Sequence, residues 1–173
     1  APAEAESVRV RRAPGLAVGT GTHATPALGL EWLDGLDLRG ASVDDVGCGS
    51  GILGIAALKL GASDVLGVDI DLQAITATRQ NAVRNGVADC LEASDDVTTP
   101  DRQFDVVLAN ILAGTLIDNA DRIGSAVRVG GRLALSGILA NQVADVKAAF
   151  CDGFDFDPPV TRDAWALLAG TRI

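Results

Sequence analysis

The stretch Val43-Asp44-Asp45-Val46-Gly47-Cys48-Gly49-Ser50-Gly51 decides the fold. It reads as a short strand that runs directly into a glycine-rich turn, and an apolar helix from Ile52 to Leu60 follows. Such a turn lets the backbone approach a nucleotide-like ligand closely and points the N–H groups of a helix N-terminus at it. A dinucleotide-binding fingerprint requires glycine or alanine three positions after its second glycine. Because this chain has Ile52 there, the spacing argues against a nicotinamide cofactor.

The composition predicts one α/β domain. The chain has 173 residues, which is enough for a single domain with a sizeable core. Hydrophobic residues make up 48% and aromatic residues only 3%, so the core must be built from Ala, Val, Leu and Ile. Segments rich in Val and Leu that alternate with Ala-rich helices favour a layered α/β fold.

Charge and cysteine content exclude several classes of function. The net charge of −9 argues against direct nucleic-acid binding, which needs a basic face, but it is compatible with a basic protein partner. Three scattered cysteines and a single histidine form no disulfide framework and no metal-binding pattern. We expect neither a signal peptide nor a membrane-spanning segment, because the given residues contain no signal-peptide pattern and no apolar run that could span a bilayer. We therefore expect a cytoplasmic protein that binds neither a metal ion nor a membrane.

Hydrophobic periodicity predicts an alternating series of strands and helices. The expected strands are 42–46, 65–69, 87–93, 104–110, 132–136, 154–156 and 165–169, with a short strand at Ser7–Arg12 before them. The expected helices are 25–36, 51–60, 72–84, 112–129 and 140–150, and Pro14–Thr22 is expected to be a loop. The last two strands have no helix between them, so the series ends in a hairpin and differs from a plain dinucleotide-binding fold.

An acidic residue follows the second predicted strand. Asp69 lies 22 residues after Gly47, where a carboxylate can accept hydrogen bonds from both hydroxyls of a ribose. The alternative is that Asp69 caps the next helix, although Asp71 is better placed for that role. The spacing favours the ribose interpretation.

Two adjacent acids lie in the first strand of the series. Neighbouring residues of a strand point to opposite faces, so Asp44 should face a layer of helices. A buried, unpaired carboxylate costs several kcal/mol or shifts its pKa, so we expect Asp44 to have a partner, to reach water or to weaken the fold. Asp45 comes two residues before Gly47 and is placed to bond the N–H groups of the turn.

Several segments together resemble one family, the PrmA methyltransferases, which modify protein eleven of the large ribosomal subunit. The segments are Gly15–His23, Asp45–Gly51, Gly67–Asp71, Asn81–Val87, Ala109–Ala113 and Leu135–Leu139, and the similarity runs from about Val8 to Arg172. The Gly-Thr-Gly-Thr-His loop combined with Asn-Ile-Leu-Ala is more specific than the glycine turn alone. The resemblance implies a class I S-adenosylmethionine-dependent (Rossmann-like) fold. That fold has a seven-stranded sheet with an antiparallel last strand and helices on both faces.

The resemblance also implies an activity and a set of site residues. The activity is methyl transfer from S-adenosylmethionine to amine nitrogens, a Lys side chain or an N-terminal amine, of a protein that we expect to be a basic ribosomal protein. The implied cofactor-binding residues are Thr20, Gly21, Thr22, Asp45, Gly47, Gly49, Gly51, Asp69, Ile70, Asp95 and Asn110. Asp45 would approach the methionine amino group and Asp95 the adenine amino group, with a solvated loop as the alternative for Asp95.

Asn110 is the expected catalytic residue, because it ends the fourth strand, where the reacting methyl group lies in this family. Its side-chain oxygen and a nearby backbone carbonyl could accept amine hydrogens and orient the lone pair. The alternative is that Asn110 only terminates a strand. His23, the single histidine, is expected to order the loop rather than to catalyse.

The chain departs from the family in three places and leaves other functions open. Val18 stands where the family usually has Phe, Pro26 is displaced, and Asp44 replaces an apolar residue. We interpret residues 1–7 as a linker or cut edge and 8–173 as the catalytic domain, without the family's N-terminal recognition domain. The alternatives are methylation of another protein or a small amine, and a degenerate cofactor-binding module without turnover.

Overall fold

The computed structural model describes residues 24–173, and the predictions for Ser7–Arg12 and Pro14–Thr22 lie outside that part. The α-helices are α1 (Ala24–Asp34), α2 (Ile52–Lys59), α3 (Leu72–Arg84), α4 (Ala113–Asp118), α5 (Ala120–Ser125) and α6 (Val143–Phe150). The strands are β1 (Ser42–Val46), β2 (Asp64–Val68), β3 (Leu91–Ser94), β4 (Phe104–Asn110), β5 (Val127–Leu139), β6 (Phe154–Phe156), β7 (Val160–Arg162) and β8 (Trp165–Arg172). Within residues 24–173, no helix is long and apolar enough to cross a membrane.

One mixed sheet organises the chain. The strand order is β3-β2-β1-β4-β5-β8-β6, and β7 pairs with β8 outside this path. Strands β1 to β5 pair in parallel, whereas β8 is antiparallel to β5, β6 and β7. The predicted α/β fold with an antiparallel last strand is therefore confirmed, and β7 is an additional short strand. Strands β2 and β3 follow β1 toward one edge of the sheet, whereas β4 and β5 extend from β1 toward the other edge. The order of the strands therefore reverses between β1 and β4, and open α/β sheets bind ligands at such a switch point.

Two apolar layers cover the sheet. On one face, residues of α1 and α2 pack against strand residues such as Val43, Val106 and Leu108. On the other face, residues of α4, α5 and α6 pack against strand residues such as Val107 and Ala109. The alternation along β4 is the two-residue period of a strand that is buried on both sides. Strand β4 therefore lies in the centre of the sheet, between β1 and β5.

The prediction of one helix over 112–129 is wrong. The helix is broken at Asn119, whose side-chain amide donates to Thr115 O at 2.8 Å and competes with the regular backbone bonds. The strand predicted for 132–136 already begins at Val127, which is fully buried and pairs with Phe104. The register shifts after Phe104, so the two glycines at 130 and 131 lie within β5 rather than before it.

The third strand, in contrast, starts later than predicted. Residues 88–90 of the predicted strand 87–93 form a 3₁₀ turn, and β3 begins at Leu91. The turn is closed by a hydrogen bond from Cys90 N to Val87 O at 3.0 Å. Val87 N in turn donates to Ala82 O, which satisfies a carbonyl at the end of α3. The first residues of the predicted strand therefore form a turn that caps the end of α3.

Candidate active site

The glycine turn joins β1 to α2 at the carboxyl edge of the sheet. Gly47, Gly49 and Gly51 all have positive φ values, 71°, 55° and 82°, a conformation that residues with side chains rarely adopt. A Cβ on Gly47 would overlap Ile111 Cγ2, whereas a Cβ on Gly49 would meet no atom within 4 Å. The turn is therefore packed against the end of β4 at Gly47 and open at Gly49. This opening, which a side chain would partly fill, suits a ligand that the backbone approaches closely.

Asp45 is buried below the glycine turn and caps the N-terminal end of α2. Gly51 is the N-cap residue of α2 and has no side chain to cap it, but Asp45 Oδ2 accepts a hydrogen bond from Gly54 N at 3.1 Å. Burial, with smaller contributions from the nearby carboxylates of Asp44 and Asp69, raises the pKa of Asp45 to about 7 against the opposing effect of the hydrogen bond from Gly54. Asp45 thus supplies the helix cap from another element.

The raised pKa of Asp45 predicts a specific pH dependence of stability. In the folded chain Asp45 binds its proton up to a pH of about 7, but in the unfolded chain only up to about the ordinary value of 3.8. Across this window the folded state holds more protons, so its free energy of unfolding falls as the pH rises, by at most about 1.4 kcal/mol per pH unit. Above the folded pKa this contribution has been lost.

Urea unfolding of the wild type and of Asp45→Asn at several pH values measures this contribution. Asparagine keeps an oxygen for Gly54 N and has no proton to lose, so the variant should lack the part of the decline that Asp45 contributes. Acids with lowered pKa values, such as Asp105, contribute with the opposite sign in both proteins and cancel in the difference. Parallel stability curves for the two proteins would contradict the assignment.

The sequence left open whether Asp69 binds a ribose or caps the next helix, and the structure gives the capping role to Asp71. Asp71 is the N-cap of α3, and its side chain accepts from Gln73 N at 2.9 Å, which confirms the predicted cap. Asp69 instead accepts from Gly49 N at 3.0 Å and from Asp71 N at 3.0 Å. The half-buried Asp69 carboxylate therefore joins the end of β2 to the glycine turn. It lies where a ribose acceptor is expected, and that role remains a prediction.

Two further predicted residues lie on the surface beside this edge. Ile70 is 81% exposed directly after Asp69, and Asp95 is exposed after β3. Asp96 is engaged differently, because its Oδ1 accepts from Thr98 N at 3.0 Å and from Thr98 Oγ1 at 2.6 Å. These bonds lower the pKa of Asp96. Asp96 therefore shapes its own loop, and Asp95 remains the residue of the pair that we predict for adenine.

Asn110 ends β4 beside the glycine turn. A Cβ on Gly137 would lie 2.9 Å from Asn110 Oδ1 and 3.0 Å from Ile111 O. The side-chain oxygen and a backbone carbonyl therefore converge around the space that a side chain at position 137 would occupy. The pairing of β5 with β8 shifts register between Leu135 and Ile138, so this space lies at an irregularity of the sheet. Two acceptor oxygens in this arrangement can bind the hydrogens of an amine.

The structure brings most of the predicted residues to one edge. The glycine turn, Asp69 and Asn110 follow the neighbouring strands β1, β2 and β4. Thr20, Gly21, Thr22 and His23 lie outside the described residues. Sequence reasoning missed Gly137 and two polar residues of α3, Thr78 and Asn81, which are buried and contact the turn. The available signal was their position on the apolar face of the helix, where polar residues need a partner.

The sequence of the chain is similar to those of ribosomal protein L11 methyltransferases. The family described as "Ribosomal protein L11 methyltransferase (PrmA)" matches residues 1–173. The ribosomal protein L11 methyltransferase of Pseudomonas savastanoi pv. phaseolicola is 55% identical over 170 residues, which are 96% of this chain and 58% of that protein. The chain thus spans less than two thirds of the length of this curated relative.

Solved structures agree with the sequence comparison. The ribosomal protein L11 methylase from Lactobacillus delbrueckii subsp. bulgaricus superposes with a TM-score of 0.87 at 35% identity, covering 94% of this chain and 84% of that one. A TehB-like SAM-dependent methyltransferase from Corynebacterium glutamicum has a TM-score of 0.66 at 21% identity, covering 84% and 88%, and shares the fold alone. The predicted family and the class I methyltransferase fold are confirmed: the chain belongs to the ribosomal protein L11 methyltransferase (PrmA) family.

Proposed function

We propose that residues 8–173 form a catalytic domain that transfers methyl groups to amine nitrogens of a ribosomal protein. The methyl donor is S-adenosylmethionine, which supplies an electrophilic methyl group on its sulfonium sulfur when it is bound. One observation carries the proposal: the glycine turn and Asn110 lie side by side, with Gly47 packed against Ile111. A donor-binding turn and an amine-orienting pair of oxygens are thereby adjacent at the switch point of the sheet.

The residues at this edge suit the donor chemically. The turn presents backbone around Gly49 to open space, and the half-buried carboxylate of Asp69 offers acceptor oxygens to ribose hydroxyls. Asp45 lies beneath the turn as a further carboxylate, and the cationic methionine amino group would favour its charged form. Ile70 and Asp95 would flank the adenine. Thr20, Gly21 and Thr22 complete the proposed set.

Asn110 and Ile111 would orient the acceptor. A lysine amine has a reference pKa of about 10.4 and must lose a proton before its lone pair can attack. Asn110 Oδ1 and Ile111 O can accept the two remaining hydrogens, which leaves the lone pair directed away from them. Methyl transfer is an in-line displacement, so this orientation and the exclusion of other geometries are the main contribution of the chain.

Asn110→Ala should reduce turnover without preventing donor binding. A hydrogen bond to a group that gains charge is worth about 1.5–3 kcal/mol, which corresponds to about a 10- to 100-fold lower rate. The measurement is transfer of a radiolabelled methyl group from S-adenosylmethionine to ribosomal protein L11, with donor affinity determined by calorimetry on the same samples.

Asn110→Asp is the matched variant for this test. It keeps oxygen acceptors at position 110, so it should retain more activity than Asn110→Ala. Equal activity of Asn110→Ala and the wild type would exclude an orienting role. A loss of donor affinity as large as the loss of rate would instead place Asn110 in the donor site alone.

The acceptor is proposed from the names of the relatives and from charge. The curated relative is a ribosomal protein L11 methyltransferase, and a chain with a net charge of −9 favours a basic partner over a nucleic acid. A ribosomal acceptor also implies a cytoplasmic location. Another protein lysine or a small amine is the second candidate, because the chain spans only 58% of that relative. Methylation of free lysine at the rate of L11 would favour that candidate.

A further inference from the structure

Two polar side chains of α3 are buried behind the glycine turn. Thr78 and Asn81 are 0% and 2% exposed, and their spacing of three residues puts them on the same face of the helix. Their neighbours on this face, including Ala74, Ile75 and Ala82, are apolar and buried. A hydroxyl and an amide at such positions cost stability unless they are hydrogen-bonded. Their partners therefore indicate why polar residues stand there.

Both side chains donate hydrogen bonds to the backbone of the turn. Thr78 Oγ1 donates to Gly49 O at 2.9 Å, and Asn81 Nδ2 donates to Ser50 O at 2.8 Å. Thr78 Oγ1 also lies 3.4 Å from Cys48 Sγ. Two side chains one helical turn apart thus contact three consecutive residues of the turn.

Gly49 is fixed from two directions. Its N–H donates to Asp69 Oδ2 at 3.0 Å, and its carbonyl accepts from Thr78. The Cβ position of Gly49 faces open space, whereas a Cβ on Gly51 would lie 2.9 Å from Thr78 Cγ2. Helix α3 therefore packs against one part of the turn and leaves the backbone around Gly49 exposed to a ligand. The orientation of that backbone depends on Asp69 and on Thr78 together.

We infer that Thr78 and Asn81 are positioning residues that set the affinity for S-adenosylmethionine through the glycine turn. This inference rests on the proposed function, in which the turn binds that donor. Without the hydroxyl of Thr78, Gly49 O would lose its partner and the peptide between residues 49 and 50 could rotate. A turn that samples several orientations binds a ligand more weakly, because only a fraction of the molecules is competent.

Thr78→Val tests the inference with almost no change of shape, since only the hydroxyl is replaced. We expect it to weaken binding of S-adenosylmethionine about tenfold, the effect of one lost hydrogen bond with an unsatisfied acceptor. Thr78→Ser keeps the hydroxyl, so its affinity for S-adenosylmethionine should lie within about threefold of that of the wild type. Thr76→Val is the control: Thr76 is exposed on the same helix, and its hydroxyl bonds Leu72 O at 3.1 Å. The Thr76→Val variant should bind S-adenosylmethionine with the affinity of the wild type.

Asn81→Asp provides a second test if Thr78→Val does not fold. Arg84 already donates to Asn81 Oδ1 at 3.2 Å and can compensate the new charge, while the donor to Ser50 O is lost. We again expect about tenfold weaker binding by calorimetry. Wild-type affinity in Thr78→Val or Asn81→Asp, or an equal loss in Thr76→Val, would overturn the positioning role alone. A folded wild type without affinity would overturn the proposed function and this inference together.

Discussion

Replacing Arg122 with Met should destabilise the chain by about 3–5 kcal/mol, because it leaves a buried carboxylate without its partner. Arg122 Nη1 bonds Asp44 Oδ2 at 2.7 Å, and the two side chains are 9% and 0% exposed. Burial raises the pKa of Asp44 and outweighs the opposing effect of Arg122. Since whole domains are stable by only about 5–15 kcal/mol, urea unfolding will resolve this loss easily.

The double variant Asp44→Leu/Arg122→Met separates the cost of an unpaired charge from the value of the pair. Within the described residues, Asp44 Oδ1 and Arg122 Nη2 are buried without a hydrogen-bond partner. An ion pair that leaves two polar atoms unsatisfied gains little over apolar packing, so the double variant should equal or exceed the wild type in stability. A double variant as unstable as Arg122→Met would contradict this explanation.

Gly47→Ala should impair both stability and donor binding. The new Cβ would overlap Ile111 Cγ2, and alanine is strained at a φ of 71°. Relief of the overlap must rotate the Ile111 side chain or move the turn or the end of β4, and all three border the proposed site. We expect a loss of at least about 2 kcal/mol in stability and at least about tenfold in affinity for S-adenosylmethionine, measured by urea unfolding and calorimetry.

Gly40→Ala is the matched control for that variant. Gly40 has a nearly identical φ of 72°, but its Cβ would meet no atom within 4 Å. Gly40→Ala should lose only about 1–2 kcal/mol of stability, the cost of backbone strain at a positive φ, and should bind S-adenosylmethionine as tightly as the wild type does. If Gly47→Ala bound the donor as well as Gly40→Ala does, the packing of the turn against Ile111 would be irrelevant to the site.

Local sequence signals predicted the elements that form the site. The bounds of β1, α3 and β4 agree with the structure, because each has a strong pattern of its own. Strand β4 is almost continuously apolar, and α3 begins at the Asp71 cap and ends before the Asn85-Gly86 pair. The glycine spacing at 47, 49 and 51 predicted the turn between β1 and α2. These signals act over a few residues and can be read from the chain directly.

Contacts between distant residues were not predictable in the same way. Arg122, the partner of Asp44, is 78 residues away and lies on a helix whose start was wrongly predicted. The sequence indicated that Asp44 needed a partner but not which one. The pair removes one reason for expecting a degenerate module, since Asp44 is compensated in the core. The contacts of Thr78 and Asn81 with the turn also join residues about 30 positions apart.

Calorimetric titration of the purified chain with S-adenosylmethionine, with NAD as the control ligand, tests the central claim most directly. A folded sample should bind S-adenosylmethionine saturably at one site and should not bind NAD, because Ile52 stands where a dinucleotide fold needs glycine or alanine. Binding of NAD alone, or of neither ligand by a sample whose cooperative unfolding shows that it is folded, would contradict the account.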